Sequence, residues 1–204
     1  MGELLWTLSY YSDYAHIALE NYTPIKQLVA KRNGFEKKYD SRQISEEEDR
    51  EWTDIINTID KYSRIVIIFC ALSLEAFIND YAIDRTSKSY LENYLDKLDL
   101  HSKWVVIPRL LTGHQLDTGS QPMEDLDWLI KQRNKLVHFK SVTVEVSKMS
   151  EKLDLYAYDE QKAQEAIDTV RNIVLALHGI DKKANETWLY YENEWFPSKR
   201  LNSP

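Results

Sequence analysis

A chain of 204 residues, 43% of them hydrophobic, has material for one buried core, and two independent domains would be cramped. A net charge of −7 excludes a surface that coats nucleic acid indiscriminately, and a lone cysteine, Cys70, excludes an internal disulfide. Five glycines and five prolines are scattered without any linker-like stretch or self-similar period, so residues 1–204 read as a single domain and not a solenoid.

The opening Met1-Gly2-Glu3-Leu4-Leu5-Trp6 lacks the basic and apolar regions of a secretory signal. The longest uninterrupted apolar run, residues 65–72, falls well short of the ~20 residues of a membrane span. A cytoplasmic protein without membrane association is expected. The five histidines are scattered and none joins Cys70 at metal-ligand spacing, so neither a metal nor another cofactor is expected.

Taken in chain order, residues 4–32 predict an aromatic, amphipathic helix broken near Thr23-Pro24 and stopped by Asn33-Gly34. Ser45-Glu46-Glu47-Glu48 has the pattern of a capping box and predicts the start of a long helix. That helix is amphipathic through Trp52, Ile55, Ile59 and Tyr62, then apolar on all sides over residues 65–72, as a helix surrounded by others must be. Beyond it, Glu75 and Asn79 lie four apart on one face, and an end is expected over residues 84–87. A short helical piece over 88–98 follows. In "LHSKWVVIPRLLTG", Pro108 is expected to divide two short helical turns and Gly113 to close the segment.

Residues 115–122 read as loop and 123–137 as helix, with Leu126, Leu129, Ile130, Leu136 and Val137 inward. Val142, Val144 and Val146 alternate as in a short strand, which alone makes no sheet. A last helix is expected from Asp159 as N-cap to Leu177, with Gly179 just past its end. Residues 180–204 form an aromatic, irregular arm, expected to pack on the bundle or on a second subunit. The count predicts an all-α bundle.

"LIKQRNKLVHFK" at residues 129–140 stands apart. No acid occurs from Trp128 to Val144, while Lys131, Arg133, Lys135 and Lys140 are all basic. Arg133 and His138 are five apart, about 140° around an ideal helix, so they are not a helix-stabilising pair. If the helix ends near Val137, the long arginine and the imidazole can both reach a point beside its terminus, and such a point suits phosphate. The plain alternative is that both cap the helix end and pair with acids of a neighbouring helix.

Arg133-Asn134 followed by His138 resembles the signature of the HEPN superfamily, an arginine and a polar residue followed after a short spacer by a histidine. "CALSLEAFINDYA" at 70–82 and "SKWVVIPRLLTG" at 102–113 are similar to further blocks of bacterial HEPN-like proteins, in the same order, so the resemblance spans residues 65–140. It implies a small helical bundle, a homodimer with the two motifs gathered at its interface, and a metal-independent endoribonuclease. A toxin or defence component held by a cognate antitoxin or regulatory protein is one such role. It also admits a non-catalytic module that binds a protein, nucleotide or RNA.

In the ribonuclease reading the ribose 2′-hydroxyl attacks the adjacent phosphorus, which also separates RNA from DNA. His138 is expected to move protons, Arg133 to brace the phosphorane, and Asn134 to hold a phosphate oxygen or fix the imidazole tautomer. Lys131, Lys135 and Lys140 would bind backbone phosphates, and Glu75 and Asn79 would orient the pair.

Overall fold

The computed structural model describes residues 9–39, 45–138 and 157–190. These residues form an all-α bundle, with no strand among them. Its helices are α1 (Tyr11–Tyr39), α2 (Glu46–Ile83), α3 (Lys88–Tyr90), α4 (Leu100–Thr112), α5 (Gln121–Val137) and α6 (Glu160–Ile180). A π turn at Leu91–Leu95 extends α3, and a 3-10 turn at Thr187–Tyr190 follows α6.

α2 is the axis, and α1, α4, α5 and α6 all pack against it. Its start follows from local chemistry. Ser45 Oγ accepts from the Glu48 amide at 3.2 Å while Glu48 Oε2 accepts from the Ser45 amide at 3.2 Å, closing the capping box. Val66, Ile67, Ala71, Leu74 and Ile78 are fully enclosed. By length and composition α2 is also apolar enough to cross a bilayer, but more than half of its most apolar stretch is covered by the rest of the bundle. Cys70 lies in that covered stretch, and burial pushes its thiol well above the ordinary range.

Four expected breaks or stops are absent. α1 runs unbroken through Pro24 and past Asn33-Gly34. The carbonyl that Pro24 leaves without a donor belongs to Glu20, an exposed residue that water can reach. Ala18, Leu19, Tyr22, Ile25 and Val29 hold the helix to the core on either side of it, and buried Phe35 carries it beyond Gly34. α4 likewise continues through Pro108. A proline inside a helix costs ~3 kcal/mol, whereas burying a large apolar side chain gives about 1.5–3 kcal/mol. Leu100, Trp104 and Ile107, all buried on α4, together outweigh the loss. α6 passes through Gly179 to Ile180, with Asp181 as its cap.

Other ends fall where expected. Gly113 closes α4 with φ of 78°, a left-handed conformation that suits glycine, and its amide donates to Arg109 O at 3.0 Å. α5 starts two residues before the expected position because Pro122 fits the first turn, where its missing N–H costs nothing. Val137, expected inward, is 53% exposed because the helix has run past the core by its last turn. The alternating valines 142–146 and the arm beyond residue 190 lie outside the described residues.

Aromatic rings join the ends of the bundle. Phe77 of α2 stacks on Trp104 of α4 at 6.0 Å and meets Tyr11 of α1 edge-on at 5.3 Å. Trp188, from the start of the aromatic arm, touches both Tyr11 and Phe77. Nearby, Asp181 accepts from Tyr81 Oη at 2.8 Å and pairs with Arg85 at 3.0 Å. Burial alone would raise the Asp181 carboxyl, but the Lys183 amide, Tyr81 hydroxyl and Arg85 charge together hold it below its ordinary value.

Asp99, the N-cap of α4, accepts from the Ser102 amide at 2.9 Å and the Ser102 hydroxyl at 2.8 Å, which lowers its carboxyl. A lowered folded-state value adds stability above the unfolded value of about 3.9 and loses it as pH falls through the folded value. Asp99→Ala is expected to cost about 0.5–2 kcal/mol in urea unfolding at neutral pH, with the deficit shrinking under acid. In a thiol-reagent assay, native Cys70 should stay unreactive and become reactive only on unfolding. Immediate native labelling would contradict its burial.

Candidate functional site

Leu126 and Leu129 anchor α5 in the core, and Arg133 lies seven residues beyond Leu126, on the flank facing α2. Its guanidinium meets the second helix there. Arg133 Nη2 donates to Glu75 Oε2 at 2.9 Å, and Nη1 donates to Asn134 Oδ1 at 3.0 Å. The side chains are 25% exposed for Arg133 and 33% for Glu75, so the pair is shielded yet open to solvent on one side. A guanidinium has five N–H donors. One on each Nη is engaged, which leaves the others available toward that open side.

His138 is the C-cap of α5, its backbone amide donating to Asn134 O at 2.9 Å. Its φ of −109° and ψ of 33° take the chain out of the helix. The imidazole is exposed and engages no partner among the described residues. Arg133, Asn134 and Glu75 are thus brought together, and among the described residues no side-chain hydrogen bond or ion pair joins His138 to them.

Asn79 lies one turn beyond Glu75 on α2, and its side-chain carbonyl oxygen is buried with no hydrogen-bond partner among the described residues. The hydrogen bonds of Arg133 go to Glu75 and Asn134, not to Asn79. Lys131 and Lys135 are exposed on α5, and Lys140 lies outside the described residues. Among the described residues no three His, Cys, Asp or Glu side chains gather as a metal set.

A groove of about 540 Å³ opens between α5 and α6, beside the opposite end of α5. Glu124, Asp125, Trp128, Glu165 and Asp168 line it. Sequence reasoning did not single these residues out. Their helical spacing on α5 and on α6 is visible in the chain, but the packing of one helix against the other is not.

Compared with family models, with curated proteins and with solved structures, the chain matches none.

The Arg133–Glu75 contact yields a thermodynamic test. In a double-mutant cycle of Arg133→Ala and Glu75→Ala, urea unfolding should show a coupling of about 1 kcal/mol, the upper end for pairs that remain partly solvated. Strict additivity would mean that the pair contributes nothing to folding.

Proposed function

We propose that this chain is a HEPN-like, metal-independent endoribonuclease of the cytoplasm, a toxin or defence component restrained by a partner protein. The observation that carries this reading is the exposed His138 imidazole at the end of α5, with Lys131 and Lys135 exposed about two turns and one turn before it, in an otherwise acidic chain. The lysines attract RNA phosphates, an attraction that weakens with salt. The 2′-oxygen forms a bond to phosphorus as the bond from phosphorus to the 5′-oxygen breaks. His138 takes the 2′-proton, and a proton returns to the departing oxygen, leaving a 2′,3′-cyclic phosphate and a 5′-hydroxyl.

Arg133 contributes through its remaining N–H donors, which suit a crowded, doubly charged phosphorane better than a lysine would. Glu75 fixes the plane of the guanidinium but also offsets its charge. That offset favours a second reading, a non-catalytic module that binds RNA, a nucleotide or a protein through the same cationic end.

Purified protein incubated with mixed RNA in EDTA, beside Arg133→Ala and His138→Ala variants, separates the readings. Cleavage with cyclic-phosphate ends is expected from the wild type, with losses of about a hundredfold or more in each variant. Intact RNA, or equal cutting by all three, removes the ribonuclease reading. Salt-sensitive RNA binding without cleavage would leave the binding module.

A further inference from the structure

The groove between α5 and α6 gathers negative charge that the bundle does not answer. Glu124 and Asp125 enter it from α5, Glu165 and Asp168 from α6, with Trp128 and Asn172 beside them. Asp125, Trp128, Glu165 and Asp168 are half-buried, so solvent screens the carboxylates only in part. Their hydrogen-bond partners are neutral and local. Gln121 Nε2 donates to Asp125 Oδ1 at 2.7 Å, and Gln161 Nε2 to Glu165 Oε1 at 2.8 Å, each within its own helix. No ion pair among the described residues engages any of the four carboxylates, the charged contacts of α5 lying at Asp127 with His101 and Arg133 with Glu75. At about 540 Å³ the groove has the size of a ligand-binding cleft, and the Trp128 ring offers a face to a cation. What would complement it is a pair of cations carried on one short segment.

The chain carries such a segment. Beyond Lys183 the sequence holds only two basic residues, Lys199 and Arg200, side by side. The root of the arm that bears them is fixed against α6. His178 Nδ1 lies 2.9 Å from Ala184 O and 3.3 Å from Glu186 Oε2, and Leu189 is buried in the core. On α6, Asp168 and Glu165 precede His178 by ten and thirteen residues, about 15 and 20 Å along the helix. Lys199 follows Tyr190, where the described arm ends, by nine residues, a reach of up to about 30 Å. The tether is long enough for the cations to enter the groove. Tethering also sets their local concentration in the millimolar range, so a contact too weak to hold a free peptide is occupied within one chain.

We propose that the α5–α6 groove docks this chain's own arm, with Lys199 and Arg200 seated among Glu124, Asp125, Glu165 and Asp168. The inference stands independently of the ribonuclease reading. The acids of the arm, Glu192 and Glu194, precede Lys199 by five residues or more, about 17 Å of extended chain, so seating the cations does not require bringing them in. The arm thereby serves as a ligand held in reserve, which any basic segment of another protein must displace to reach the groove. Docking also neutralises carboxylates on the same helix that presents Lys131 and Lys135 to anions. Because the groove is open on one side, the contact weakens with salt.

Disulfide trapping in the full chain tests the docking. Asn172→Cys/Ser198→Cys places one thiol at the groove and one beside Lys199 without removing a charge, and buried Cys70 does not compete. With oxidised glutathione at about 0.05 M NaCl, a link within one chain is expected. Adding Lys199→Glu/Arg200→Glu should slow its formation at least about tenfold, and adding Glu165→Lys/Asp168→Lys to that variant should restore it. The wild type gives a readout that no substitution disturbs. A zero-length carbodiimide should join Lys199 to a groove carboxylate, and a mixture of nitrogen-14 and nitrogen-15 protein should show both peptides of the link coming from the same copy. A trapping rate indifferent to the charge of the arm would leave the groove to a different cationic partner. Links joining light and heavy copies would give it to a second chain. Either result, or a wild type without the Lys199 link, would overturn the proposal.

Discussion

The burial of α2 is the constraint on which the rest of the fold depends. A 38-residue helix is about 57 Å long, and its central stretch is apolar around most of its circumference. Left uncovered, that surface would drive aggregation or membrane insertion. α1 supplies the most extensive cover, α6 the next, and α4 and α5 add to it, α4 setting Trp104 against Phe77 and α5 bringing Arg133 to Glu75. The placement of α5 is a consequence of this demand. Leu126 and Leu129 are buried in the core, and Arg133, further along, meets Glu75 just where α2 changes from apolar on all sides to amphipathic.

The chemistry at the end of α5 is governed by what that packing commits and what it leaves free. Arg133 is half committed, since one carboxylate offsets its charge while part of its fork remains open. Lys131, Lys135 and His138 are uncommitted to any ion pair among the described residues. In a chain with a net charge of −7, a local cationic stripe is conspicuous to an anion only at short range, because screening removes longer-range fields within about 8–10 Å at physiological salt. Recognition by this surface must therefore come from geometry at contact. The acids at the other end of the same helix reinforce that limit.

Features fixed by neighbouring residues were legible in the sequence. The capping box at Ser45, the Asp159 cap, the glycine close at Gly113 and the apolar face of α6 all involve groups within a turn of one another. The misplaced breaks share one cause. Pro24, Gly34, Pro108 and Gly179 each weaken a helix locally, and at each the helix continues, at Pro24 and Pro108 with tertiary burial flanking the weak point. At the site, the arginine, the asparagine and the helix end were legible. The sequence could nominate Glu75, but its contact with Arg133 depends on α2 and α5 packing 58 positions apart in the chain. The α5–α6 groove was hidden for the same reason.

The contact of Tyr11 with Trp188 has a bearing on time as well as on packing. These rings lie 5.2 Å apart in the bundle, yet nearly the whole described chain separates them in sequence. A ribosome adds residues from the N-terminus at about 5–20 per second, so α1 emerges many seconds before the aromatic partner that completes its surroundings. Until then α1 and α2 can form their local hydrogen bonds and begin to pair. The corner between Tyr11, Phe77 and Trp188 is thereby among the last parts of the core to exclude water, and the nascent bundle remains open at that end until synthesis has passed α6.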